Sequence, residues 1–451
     1  MLSSTTWIGP AVLVVFCATY ALVFAEEKLH LRKSKPVMVG AGIIWILVAI
    51  AYYHNGSSPE VAEKLRNVLL EYAELFLFLL SAMSFVNAMV ERNVFEALRA
   101  RLIRMRLSVR GIYWTTGAIA FCLSPIADNL TTALVVGTVA ISTLRHDRKT
   151  TIGALVSIVV AANAGGVFSP FGDITTLMVW QKGMVGFGQF FRLFLPALIS
   201  WLIPAAIISF TLPSRHAQSN MQAARLRKGA WVVIGLFLLT IAATIYLDHA
   251  LHLQPFLGMM MGLGLLNFYS YFLHAAEARI LANDASNGTS SGKELSTQNA
   301  PQKPFDIFGI LEKVEWDTLL FFYGIMFCIA GIGAIGYLQA LSHLLYNGFG
   351  NTPANILIGL LSAIVDNIPL TFAVLSMHPT MSTGQWLLVT FAAGTGGSLL
   401  SIGSAAGVAL MGIGQGRYTF LSHLKWTWAI FLGFAAGIAA HMLLNHALFS
   451  S

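Results

Sequence analysis

Three aspartates stand inside apolar sequence: Asp128 in Ser124-Pro125-Ile126-Ala127-Asp128-Asn129, Asp173 in Phe171-Gly172-Asp173-Ile174-Thr175-Thr176, and Asp366 in Val365-Asp366-Asn367-Ile368-Pro369. A carboxylate at the centre of a bilayer costs about 2.5–3.5 kcal/mol on insertion scales, so acids there need a purpose. No Lys or Arg shares these segments to neutralise them. Each can hold a cation or a proton, one excluding the other. The plainer alternative is that each caps a new half-helix, because Asp and Asn are favoured N-caps. Neutral oxygen donors accompany them: Asn129, Thr131, Thr132, Asn163, Thr175 and Thr176 in the first half, and Ser362, Asn367, Thr371, Ser401 and Ser404 in the second. Carboxylate, amide, hydroxyl and carbonyl oxygens together suit a hard cation. A single Ser or Thr more often bonds its own helix or a neighbour; here they cluster at four matching interruptions.

These residues need a membrane around them. Of 451 residues, 56% are hydrophobic and only 10% charged, which leaves too little polar surface for a water-facing shell. The net charge of +7 forms no basic face for nucleic acid, since the 27 Lys and Arg fall between apolar runs. Cys17, Cys122 and Cys328 lie within apolar stretches without the spacing of a disulfide framework or zinc site. The fold class expected is all-α and polytopic.

Apolar runs long enough to cross about 30 Å of hydrocarbon lie near 7–24, 37–53, 68–90, 190–212, 229–247, 254–275, 316–340 and 426–447. Broken helices are expected over 150–180 and 384–411, for about ten crossings. The first run lacks a basic leader and reads as a helix, not a removable signal. The stretch 111–142 is about 48 Å long as one helix, too long for one crossing, and it breaks at Asp128. Basic residues flank it on both sides (Arg92, Arg99, Arg101, Arg104, Arg106 and Arg110 before; Arg145, Arg148 and Lys149 after), so it reads as a hairpin re-entering from the cytoplasm. The stretch 354–377 breaks likewise at Asp366, has no flanking Lys or Arg, and is expected to enter from outside. This scheme puts every Lys and Arg except Lys64, Arg66, Lys182 and Arg192 inside and both termini outside. The segment 276–315 is expected to be a cytoplasmic linker, disordered over Asn283 to Pro304.

The halves repeat each other. Asp128-Asn129 matches Asp366-Asn367, and Gly165-Gly166 with Gly172 matches Gly396-Gly397 with Gly403 at the same spacing. We therefore expect two repeats of inverted topology, 1–215 and 216–451, with the substrate site near the midplane where half-helices end. The second Gly-Gly loop offers Ser404 where the first offers Asp173, which assigns more of the cation chemistry to the first half. Glu74 and Asp317 open equivalent helices and are either water-facing ends or secondary ion stations. His249, His252, His441 and His446 lie near helix ends, where interfacial anchoring is expected.

The strings Ser124 to Thr132, Asn163 to Thr176, Ser362 to Pro369 and Gly394 to Ser404 together resemble the NhaD-type sodium/proton antiporters of the ion transporter superfamily. The resemblance spans roughly 68–447. It implies a secondary active transporter, not an enzyme, that exchanges Na+ or Li+ for H+ without a cofactor in a bacterial inner membrane. It implies roles for Asp128, Asn129, Asn163, Asp173, Thr175, Thr176, Ser362, Asn367, Ser401 and Ser404. It also implies a homodimer with a static scaffold and a moving transport unit. On this reading Asp128 and Asp173 bind Na+ from the cytoplasm and protons displace it outside, with Thr132 and Asp366 as further candidates.

Two other functions fit parts of the sequence. A Na+-coupled dicarboxylate symporter would use half-helix N-termini as an anion cradle, against the repulsion of the carboxylates. An intramembrane aspartyl protease would use Asp128 and Asp173 as a dyad, but the Gly-x-Gly-Asp form is absent.

Overall fold

The computed structural model describes residues 7–29, 31–54, 57–104, 108–144, 147–213, 226–286, 307–414 and 416–450. Among them the secondary structure is helical without a β-strand. Eight helices are long and apolar enough to cross a membrane: Ser34–His54, Pro59–Glu91, Arg148–Gly166, Phe187–Phe210, Ala230–Leu251, Pro255–Ala275, Trp316–Ile335 and Thr427–Leu444. The protein is an all-α, polytopic membrane protein. Ile8–Phe24 is a further apolar helix, of 17 residues, and the two runs expected to break do so, each as two helices with an irregular turn between them: Arg148–Gly166 with Ile174–Gln181, and Thr383–Gly396 with Ala405–Ile413.

The chain divides into two compact units, Met1–Leu69 with Arg99–Ala223 and Leu320–Ser451, and Leu70–Leu98 with Ala224–Leu319. Within the second, small residues let helices approach closely, as expected where packing and not hydrophobicity drives association. Gly258 faces Thr244 and Gly262 faces Thr240, and Ser81 Oγ donates to Met259 O at 2.6 Å. The helix that begins at Pro255 continues to Ser286, and Ile307–Glu312 is helical. The expected linker is thus helical at both described ends, and the rest of it, 287–306, lies outside the described residues.

Within the first unit, Ser34–His54 is anchored by side-chain bonds to backbone: Trp45 Nε1 donates to Phe327 O and Tyr52 Oη to Ala334 O, each at 2.9 Å. The elements around the aspartates are α1 (Val109–Ala127), α2 (Asn129–Thr143), α3 (Arg148–Gly166), α4 (Ile174–Gln181), α5 (Phe194–Phe210), α6 (Asn351–Leu361), α7 (Asn367–Met377), α8 (Thr383–Gly396), α9 (Ala405–Ile413), α10 (Phe420–Leu424) and α11 (Thr427–Leu444). Helix α8, and α3 beyond its basic first residues Arg148 and Lys149, are mostly apolar and almost wholly buried, the condition for central helices. Helix α1 packs on α3 as α6 packs on α8; α2 packs against α9, and α7 against α4.

The first break has a local cause, and both are held by packing. Pro125 has no N–H to offer Phe121 O, one turn earlier. Gly165 presses against that freed carbonyl, where a Cβ would collide with Phe121 O. The matching Gly396 presses in the same way against Gly359 O. Ser124 Oγ donates to Ala162 O and Ser362 Oγ to Ala393 O, both at 2.6 Å. The breaks are therefore held by the same pair of contacts at corresponding places.

Candidate functional site

Asp173 stands at the head of α4, in extended backbone, and is buried. Its Oδ1 accepts from Thr175 N at 3.0 Å and caps the helix. Thr176 Oγ1 donates to Ser169 O and Asp173 O, at 2.8 and 2.6 Å, in addition to the backbone bonds those carbonyls accept from Gly172 N and Leu177 N. The second oxygen, Oδ2, faces inward. It accepts from Asn129 Nδ2 at 3.2 Å and from Asn367 Nδ2 at 3.0 Å. These are the two asparagines of the repeated Asp-Asn pairs, each opening a half-helix.

Asn163, fully buried near the end of α3, joins the first half to the second. Its Nδ2 donates to Ser398 Oγ at 2.8 Å and Ser404 Oγ at 2.9 Å. Its Oδ1 accepts from Asn129 Nδ2 at 3.2 Å. The carboxamide oxygen therefore points toward the Asp173 cluster, and the two hydroxyls set that orientation.

The other two aspartates differ from each other. Asp128 caps α2, accepting from Thr131 N at 2.8 Å and Thr131 Oγ1 at 2.9 Å. It has φ 54° and ψ 163°, a conformation that costs a non-glycine residue about 1–3 kcal/mol and collects at functional sites. Asp366 precedes α7 with ordinary dihedrals and makes no side-chain cap bond. Its Oδ1 is buried without a hydrogen-bond partner, as is Thr132 Oγ1, one turn beyond Asn129 on the same face. Buried polar atoms are nearly always paired, so such orphans mark places where a ligand or water belongs.

The structure thus brings Asn129, Asn163, Asp173, Asn367 and Ser404 into one hydrogen-bonded cluster, with Thr175 beside them. Ser362 instead ties its break to α8, and Thr371 bonds Asn367 O in its own helix at 2.9 Å. Ser401 Oγ turns to Met411 Sδ at 3.2 Å. Glu74 and Asp317 belong to the other unit. Ser398 was not singled out by sequence reasoning, although it follows Gly396-Gly397 directly. Among the histidines, His249, His252 and His446 are exposed, but His441 is buried, with Nε2 at 3.0 Å from Gly384 O.

Comparison with known proteins shows the family. A family model described as "Citrate transporter" matches residues 1–279 and 303–394. The "Na(+)/H(+) antiporter NhaD" of Alkalimonas amylolytica is 51% identical over 99% of this chain and 92% of its own length. The chain belongs to the NhaD-type sodium/proton antiporter family. The NhaD protein of Vibrio cholerae serotype O1 is 50% identical over 98% of this chain and 93% of its own. "Sodium/proton antiporter 1" of Arabidopsis thaliana is 30% identical over 97% and 72%. Membership makes this NhaD-type chain a transporter and not an enzyme. Its buried cluster gathers one carboxylate, three carboxamides and hydroxyls.

Proposed function

We propose that this protein exchanges Na+ for H+ across the membrane at Asp173, with Asn129, Asn163, Asn367, Thr132, Thr175, Thr176 and Ser404 supplying neutral oxygens and backbone order around it. The observation that carries the reading is the convergence of Asn129 and Asn367 on one oxygen of a buried carboxylate. Two amide N–H groups satisfy that oxygen. A carboxamide that turns over presents its carbonyl oxygen instead, so the same asparagines serve an ion. A proton or a cation neutralises the carboxylate, and competition between them couples the fluxes. Asp128, Asp366, Ser362 and Ser401 stand at the same breaks and complete the site in other stages of the cycle. The relatives' names support Na+ and H+ as cargo.

The same reading extends to Li+ as an alternative cargo, to a bacterial inner membrane and to a homodimer, which cross-linking in native membranes would test. It also takes the chain as two inverted repeats, 1–215 and 216–451. The matched contacts of Ser124 with Ala162 and Ser362 with Ala393 support the repeat. Everted vesicles with an acid interior and a pH-sensitive dye, given NaCl, LiCl, KCl or a dicarboxylate separately, test the exchange. Alkalinisation on Na+ that disappears in Asp173→Asn is the expected result. Transport of the dicarboxylate, with no response to any monovalent cation alone, would overturn it.

A further inference from the structure

Between α9 and α11 the chain passes through Tyr418 and α10, outside the membrane-spanning helices, and both Tyr418 and His423 are buried there. His423 Nε2 lies 2.8 Å from Ser398 O, and its Nδ1 lies 2.6 Å from Tyr418 Oη. A carbonyl oxygen only accepts, so Nε2 carries the hydrogen, and Nδ1 of the neutral ring accepts from the Tyr418 hydroxyl. Four residues further on, Thr427 Oγ1 donates to Leu399 O at 2.8 Å. Two consecutive carbonyls beyond the end of α8 are thus held by side chains of 418–427.

Ser398 is the residue whose hydroxyl, with that of Ser404, accepts from Asn163 Nδ2. Its backbone is held by His423 while its side chain orients Asn163. A continuous set of hydrogen bonds then runs from Tyr418 through His423, Ser398, Asn163 and Asn129 to Asp173.

We infer that His423 and Tyr418 are positioning residues for the cargo: they clamp Ser398 so that Asn163 keeps its carboxamide oxygen turned toward Asp173. The inference rests on the cation-exchange reading. Outer partners that orient ion ligands change affinity by about 10–100-fold when removed. The clamp therefore acts on the apparent KM for Na+, with turnover at saturation preserved.

The test uses the full chain in proteoliposomes with an internal pH dye. Na+ titrations are run on the native protein, His423→Gln, His423→Asn, Tyr418→Phe and Asp173→Asn, each checked for a monodisperse detergent peak. A Gln amide nitrogen reaches where Nε2 stood and keeps the bond to Ser398 O, while Asn is too short to reach it. His423→Asn is expected to raise the KM for Na+ about tenfold or more, with maximal rate little changed. His423→Gln is expected to stay near the native value, and Tyr418→Phe to shift KM in the same direction as Asn but less. Equal KM values for the native protein, His423→Asn and Tyr418→Phe, with Asp173→Asn inactive, overturn the clamp and leave the exchange reading intact. Full exchange by Asp173→Asn overturns the exchange reading itself. If His423→Asn does not give a monodisperse peak, the KM of Tyr418→Phe decides.

Discussion

Asn129 and Asn367 donate to the same atom, Oδ2 of Asp173, from half-helices that open the two matching Asp-Asn breaks. A carboxylate oxygen that accepts twice from neutral amides is stabilised in charge without being neutralised. It is thereby kept available to a small cation or a proton.

Asp173→Asn removes that charge and turns the oxygen that accepts from Asn129 and Asn367 into an amide donor. Asp173→Asn retains an oxygen to cap α4 through Thr175 N. We expect the variant to fold and to insert, and its Na+-driven proton flux to fall to background in the vesicle assay. Native rates from this variant would place the cargo elsewhere.

The two asparagines are expected to act together. On the exchange reading each carboxamide turns its oxygen to the ion, and removing a group that orders an ion site costs about 10–100-fold in affinity, so Asn129→Ala and Asn367→Ala should each raise the apparent KM for Na+ by about tenfold or more. Because they share an acceptor, the double variant should deviate from additivity by about 0.5 kcal/mol or more. A double-mutant cycle on KM measures this coupling.

Asp128 offers a separation of stability from transport. Asp128→Ala loses the cap and keeps the cost of φ 54°. Asp128→Gly loses the cap but adopts that conformation freely. In thermal unfolding Asp128→Gly should therefore be the more stable of the two, by about 1 kcal/mol. The opposite order would mean that the backbone here is not strained.

Glycine at the break is a packing requirement. Gly165→Ala sets a methyl against Phe121 O, and the forced shift should cost about 1–3 kcal/mol and lower the Tm. Gly235→Ala, in Ala230–Leu251, meets nothing within 4 Å and should be neutral or stabilising by about 0.5–1 kcal/mol.

His423 gives stability a pH dependence. Burial pushes its imidazole down to about 4 from an ordinary 6.5. The folded state thus binds this proton less readily than the unfolded chain. The stability it contributes is full above pH 6.5 and is lost as pH falls toward 4, by about 3 kcal/mol in all. Thermal unfolding of the native protein should weaken more than that of His423→Gln over this range. Parallel curves would show that the ring is solvated.

Much of the site was legible because ion chemistry and membranes constrain residue type severely. Asp173, Asn129, Asn163 and Asn367 stand out since polar groups are costly in apolar membrane sequence. What could not be read was which oxygen each would face. Ser401 and Ser404 are three residues apart in one loop, yet one meets Met411 and the other Asn163. Asp128 and Asp366 occupy matching positions, yet only Asp128 caps its half-helix.

By itself the sequence determined that the chain lives in a bilayer, where its helices break and which carboxylates stand at the breaks, because apolar run length and Pro125 act locally and the Asp-Asn and Gly-Gly strings repeat at fixed spacing. Tertiary structure decided which carboxylate lies at the centre. Asn129, Asn163, Asn367 and Ser404 come from distant segments and meet around Asp173 only when α2, α3, α7 and the turn before α9 are packed together. Tertiary structure likewise recruited Ser398, His423 and Tyr418. Their role depends on hydrogen bonds made at the end of α8, and no periodicity or local motif encodes such long-range contacts.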